Sequence, residues 1–166
     1  MSIATKVPGF DDNQLLKLLT NALERLSDEK KGPAAREIVN AIKHEWSVRL
    51  ARFREGTYSC TTPHDGMLSA LGYHVGNHKG VATHHRRRIL AYVLSGELPP
   101  VQSPAYMAEW GAPGSPRRLK KLKNVLRGLI ESHQRNPHDY EKAISEWQQD
   151  LEFVSESLVS DDSQSN

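Results

Sequence analysis

Apolar residues recur at three- and four-residue intervals along most of this chain, and glycine or proline closes each run. A sequence punctuated in this way folds as packed helices. From Asp12 to Leu26 the residues Leu15, Leu16, Leu18, Leu19, Ala22, Leu23 and Leu26 mark a first amphipathic helix behind an acidic Asp11-Asp12 start. Gly32-Pro33 then breaks the chain, and a second helix runs to about Arg54 with Ile38, Ile42, Trp46 and Leu50 on one face. Between Gly56 and Gly80 the pattern weakens to a brief helix and a tight turn within residues 66–76. A third long helix starts near Thr83, buries Ile89, Leu90, Val93 and Leu94, and stops at Gly96 and Pro99-Pro100. Ser103-Pro104 opens one or two turns that end at Gly111.

Ser115-Pro116 is the best-marked helix start, a capping hydroxyl followed by the proline that tolerates the first helical position. Its apolar stripe is Leu119, Leu122, Val125, Leu126, Leu129 and Ile130, with Arg117, Lys120, Lys121 and Arg127 on the opposite side. Asn136-Pro137 ends it, and a last helix from about His138 to Leu158 carries a seam of Tyr140, Ile144, Trp147, Leu151, Val154 and Leu158. The expected fold is all-α: one compact helical domain over residues 1–160, with an N-terminal helical hairpin, short central helices and a C-terminal antiparallel helical hairpin. Residues 161–166 are polar, without apolar anchors, and are expected to be a disordered tail.

The small net charge of +2 hides a strong sorting. Residues 61–135 hold eleven Lys/Arg against four Asp/Glu, a local +7, whereas residues 136–166 hold one against eight, a local −7. Two basic clusters make up the middle. Lys79, Arg86, Arg87 and Arg88 form the first, together with His78, His84 and His85; Arg117, Arg118, Lys120 and Lys121, with Lys123, form the second at a helix N-terminus. Amide donors and the helix dipole favour anions there, so the expected partner is the backbone of DNA or RNA. Adjacent arginines sweep about 200° of a helix, so Arg86, Arg87 and Arg88 do not all reach one backbone. Six cations on duplex phosphates give a log–log salt slope of about −5. The competing expectation is internal compensation, with Asp139, Glu146 and Asp150 of the last helix offsetting Arg118 or Lys123. A further alternative is a protein partner or homodimer docked through the apolar seam of the C-terminal helix.

Chemistry-bearing motifs are sparse. Cys60 is the lone cysteine, and Cys60 with His64, or His74 with His78, lacks the further ligands that a zinc site requires, so neither a metal nor a cofactor is expected. The N-terminal MSIATKVPGFDD has no signal-like apolar run, and nowhere do eighteen apolar residues follow one another. With a single thiol, these features lead to the expectation of a cytoplasmic protein without a membrane span. Arg127 and His133, with five residues between them, resemble the Arg-(four to six residues)-His motif of HEPN ribonucleases, which implies metal-independent RNA cleavage; Gly128 stands where that motif usually has a polar residue. The bland alternative is a solvated Arg127 and a His133 that satisfies carbonyls at a helix end.

Three segments, GMLSALGYHVG (66–76), RRRILAYVLSGELPPVQSPAYMAEWGAPGSPRRLKKL (86–122) and AISEWQQDLEF (143–153), are similar to an uncharacterised family of small bacterial proteins. The resemblance implies a bacterial or phage source and an all-helical fold, and it assigns no catalytic residue. The function these readings favour is a non-enzymatic nucleic-acid-binding accessory or regulatory protein.

Overall fold

Local capping explains where most helices begin. In the computed structural model, which describes residues 1–59 and 66–156, Asp11 forms a reciprocal box with Gln14: Gln14 N donates to Asp11 Oδ1 at 2.8 Å and Asp11 N donates to Gln14 Oε1 at 2.9 Å. Helix α1 follows as Asp12–Glu24, and α2 spans Gly32–Arg54 with Pro33 in its first turn. A single turn, α3 (Met67–Ala70), precedes α4 (Thr83–Ser95). Ser103 Oγ accepts from Tyr106 N at 3.2 Å to start α5 (Pro104–Trp110), and Ser115 Oγ accepts from Arg118 N at 3.2 Å to start α6 (Pro116–His133). The last helix, α7 (Pro137–Glu156), leaves helical geometry at Tyr140, whose φ and ψ are −122° and 16°. The all-α expectation holds. A 3-10 helix at Ile3–Gly9 is the one described element that the periodicity did not foretell, because seven residues containing Pro8 carry no helical repeat. The expected tail and Leu158 lie outside the described residues, as do Cys60 and His64.

The 3-10 helix and α1 pack on α2, α5 packs on α6, and α6 and α7 pack along each other. Helix α4 joins these groups, touching α1, α6 and α7, and its Ile89, Leu90 and Val93 are fully buried. The seam residues Ile144, Trp147, Leu151 and Val154 belong to this same core, so the stripe expected to dock a partner is already covered inside the fold; Tyr140 alone of the described seam is exposed. Among the described residues no helix is long and apolar enough to cross a membrane.

Three arginines are buried with the apolar side chains, and each joins separate elements. Arg49 of α2 donates to Asp12 Oδ1 at 2.8 Å, to the Phe10 carbonyl at 2.6 Å and to Glu45 at 2.7 Å, while the Tyr58 hydroxyl donates to Asp12 Oδ2 at 2.5 Å. Asp12, read from sequence as a helix-dipole acid, is therefore a core residue. Burial, then the neighbouring Asp12 charge, pushes the Tyr58 hydroxyl up to about 12. The other two arginines, Arg86 and Arg118, come from the stretches singled out for phosphate binding.

His85 of α4 is also buried, its Nδ1 has no hydrogen-bond partner, and burial holds its pKa below the ordinary value. The unfolded chain, with histidine near about 6.5, then binds the proton more readily, so stability falls as pH drops through that value towards the folded pKa. Denaturant unfolding of the wild type should show a lower midpoint at pH 5.5 than at pH 7.5, and His85→Leu should make this drop smaller. An identical drop in the variant would remove His85 as its source.

Candidate nucleic-acid interface

The three consecutive arginines of α4 diverge as 100° per residue requires. Arg86 points inward and is 1% exposed. Its Nε donates to Asp150 Oδ2 at 2.8 Å, its Nη2 to Asp150 Oδ1 at 3.4 Å, and its Nη1 to Glu146 Oε2 and, at 3.0 Å, to the Val81 carbonyl. Asp150 also accepts from the Tyr73 hydroxyl at 2.6 Å, and Glu146 Oε1 accepts from Gly76 N at 3.2 Å. Burial opposes the Arg86 charge, but Asp150 and Glu146 outweigh it and hold its pKa above the ordinary value. Burial, reinforced by Asp150, drives the Tyr73 hydroxyl far above its usual range. Arg86 is thus a structural cation covered by the carboxylates of α7, and its assignment to phosphate binding is corrected.

Arg87 is exposed, its guanidinium 5.0 Å from the centre of the Phe153 ring, and half-buried Arg88 donates to the Leu23 carbonyl at 3.3 Å. Lys79 is exposed on the loop between Gly76 and Gly80. The loop closes so tightly that a Cβ on Gly80 would lie 2.3 Å from the Gly76 carbonyl oxygen.

The second cluster divides in the same manner. Arg118 is 3% exposed and donates to carbonyls of Val93 (2.7 Å), Gly96 (2.9 Å), Trp110 (3.0 Å) and Gly111 (2.9 Å). Burial lowers its pKa to about 10, which leaves it cationic at neutral pH. It too is a structural residue and not a phosphate ligand. Lys121 is half-buried, 2.5 Å from Glu109 Oε2 and 5.7 Å from the centre of the Tyr106 ring. Arg117 and Lys120 are exposed. Gly111, at φ +66°, sits under the stem of Arg117: a Cβ there would fall 2.9 Å from Arg117 Cδ.

The expected pairing of α6 cations with α7 carboxylates is also corrected. Glu146 and Asp150 are four residues apart on α7 and share the flank that meets α4, so both serve Arg86. Among the described residues, Lys121 with Glu109 is the only ion pair formed by α6. Arg117, Lys120, half-buried Lys123 and Arg127 consequently keep their charge on the outer side of the helix, where Arg127 reaches only Asn124 Oδ1 at 3.5 Å. Projection at 100° per residue groups these four within about 120° of the circumference, from half-buried Lys123 at the edge of the buried stripe of Leu122, Leu126 and Ile130 to Arg117 on the far side. Arg127 was the cation left out of the two sequence-based clusters, although its projection away from the apolar stripe already placed it beside Lys120.

The two clusters do not merge. Arg118 grips the C-terminal end of α4, whereas Arg87 lies on its first turns, and nine residues of helix separate Arg87 from Gly96 by about 13 Å. Nor do Arg127 and His133 converge: six residues place them about 120° apart around α6. His133 Nδ1 meets the Leu129 carbonyl oxygen at 2.8 Å, and its ring packs against Tyr140 and Trp147, with centroids 4.5 and 4.9 Å away. Among the described residues no group of three His, Cys, Asp or Glu side chains is placed to hold a metal ion.

Replacing either inward arginine strands its partners. Arg86→Ala leaves Asp150, itself 0% exposed, as a buried carboxylate with the Tyr73 donor alone, and should cost about 3–5 kcal/mol in denaturant unfolding. Lys120→Ala, on the exposed face, should stay within about 0.5 kcal/mol of wild type. Equal effects at the two positions would contradict this division. Comparison with known proteins found no matching family model, no matching curated protein and no matching solved structure, so the division rests on the chain's own geometry.

Proposed function

We propose that this chain is a non-enzymatic nucleic-acid-binding accessory protein, of bacterial or phage origin, and that its contact surface is the outer face of α6. One observation carries the reading: exposed Arg117, Lys120 and Arg127 and half-buried Lys123 line one side of α6 without an ion pair among the described residues, while the inward carboxylates of α7, Glu146 and Asp150, are committed to Arg86. Solvent-exposed cations in a row release condensed counterions when they meet phosphates, which gives affinity without base recognition. Arg87 and Lys79 add positive charge at a separate place on the surface and are secondary to this face.

The four cations set a salt slope of about −3.6 on duplex DNA, smaller than the six-cation expectation because the contact surface is the α6 face alone. Fluorescence anisotropy between 50 and 200 mM salt measures it. The triple reversal Arg117→Glu, Lys120→Glu, Arg127→Glu should abolish binding, whereas Arg25→Glu with Arg36→Glu, exposed near the other end of the chain, should leave most of it. Loss of binding in both variants, or in neither, would defeat the assignment to α6.

A further inference from the structure

Resting on that reading, we infer that the polyanion is a B-form DNA duplex, and that α6 enters its major groove. The ridge at steps of four along the exposed side runs Lys120, Asn124, Gly128, Ser132. Beyond Lys120 these side chains are short, and a Cβ built on Gly128 meets nothing within 4 Å, so the helix backbone stands open to close approach. Cations flank the ridge, Lys123 and Arg127 on one side and Arg117 on the other. An α-helix about 10–12 Å across matches a major groove about 12 Å wide, which brings the flanking cations to the phosphates and the Asn124 amide to base edges.

The alternatives lack their physical requirements. Sequence-tolerant binding of a single strand uses aromatic stacking platforms, and Tyr140, at the kinked start of α7, is the one exposed aromatic among the described residues. An RNA duplex offers a deep, narrow major groove that side chains cannot read. Negative charge also sets the approach: Glu131 occupies the last turn of the α6 face, and Glu141, Glu152 and Glu156 are exposed on α7, so the duplex meets α6 between Arg117 and Gly128.

The test is anisotropy at 50 mM salt with three labelled probes: a 20-bp DNA duplex, an RNA duplex of the same sequence and the corresponding DNA single strand. The DNA duplex should bind at least tenfold more tightly than either of the others. Gly128→Leu adds bulk to the ridge without charge and with better helix propensity, so it should fold normally and weaken duplex DNA binding at least fivefold. Equal affinity for the three probes, with sensitivity to Lys120→Glu retained, would overturn groove entry and keep the polyanion reading. Undiminished DNA binding by Gly128→Leu would overturn groove entry as well. Binding to none of the probes would overturn both.

Discussion

The buried guanidinium of Arg86 is the point on which both the packing and the surface depend. Its donors meet two carboxylates of α7 and the carbonyl of Val81, while Tyr73 and Gly76 satisfy the same carboxylates from the other side. Taking such charges out of water is expensive, and a planar fork of donors recovers the cost only when every partner is in position. The network therefore discriminates against other placements of α7 on α4 more than it adds net stability. It also decides which charges remain outside. Glu146 and Asp150 are the carboxylates of α7 that face the protein, and once they serve α4 the cations of α6 are left without them.

Arg118 solves a different problem with the same chemistry. Helices α4 and α5 both end beside the start of α6, and the last carbonyls of a helix have no partner within it. Four of these oxygens, from Val93, Gly96, Trp110 and Gly111, converge on one guanidinium, which carries no carboxylate partner and is held by backbone dipoles alone. A single side chain thereby caps two helices and fixes the N-terminus of a third. The neighbouring Arg117, one step round the helix, is then obliged to face solvent over Gly111.

The helices were legible because their signals are local. Ser115-Pro116 and Ser103-Pro104 cap where capping chemistry places them, and the apolar spacing of α1 and α6 survives in the core. Partner choice by charged groups was less legible, since net charge counts residues without asking which way they point. The phase of the helix does hold that information. Arg86 lies four and seven residues before Leu90 and Val93, Arg118 four and eight before Leu122 and Leu126, and Arg49 four before Phe53 and seven after Ile42, so all three arginines ride the buried stripe. Glu146 and Asp150 likewise fall in step with Ala143, Trp147 and Val154. An arginine in phase with leucines marks a buried cation; what the sequence withholds is the identity of its acid, which only the packing of α4 on α7 supplies.

The charge sorting of the chain is thus resolved in two parts with opposite consequences. Where basic α4 meets acidic α7 the opposing charges are buried together and vanish from the surface. Where basic α6 runs along α7, no ion pair forms among the described residues, and the cations of one helix and the carboxylates Glu141, Glu152 and Glu156 of the other both stay at the surface. Such a surface is polarised more than it is positive. On the proposed reading, a polyanion drawn to α6 would be repelled over α7, so the arrangement would select an orientation of approach at the same time as it attracts, which a uniformly basic face of equal charge would not do.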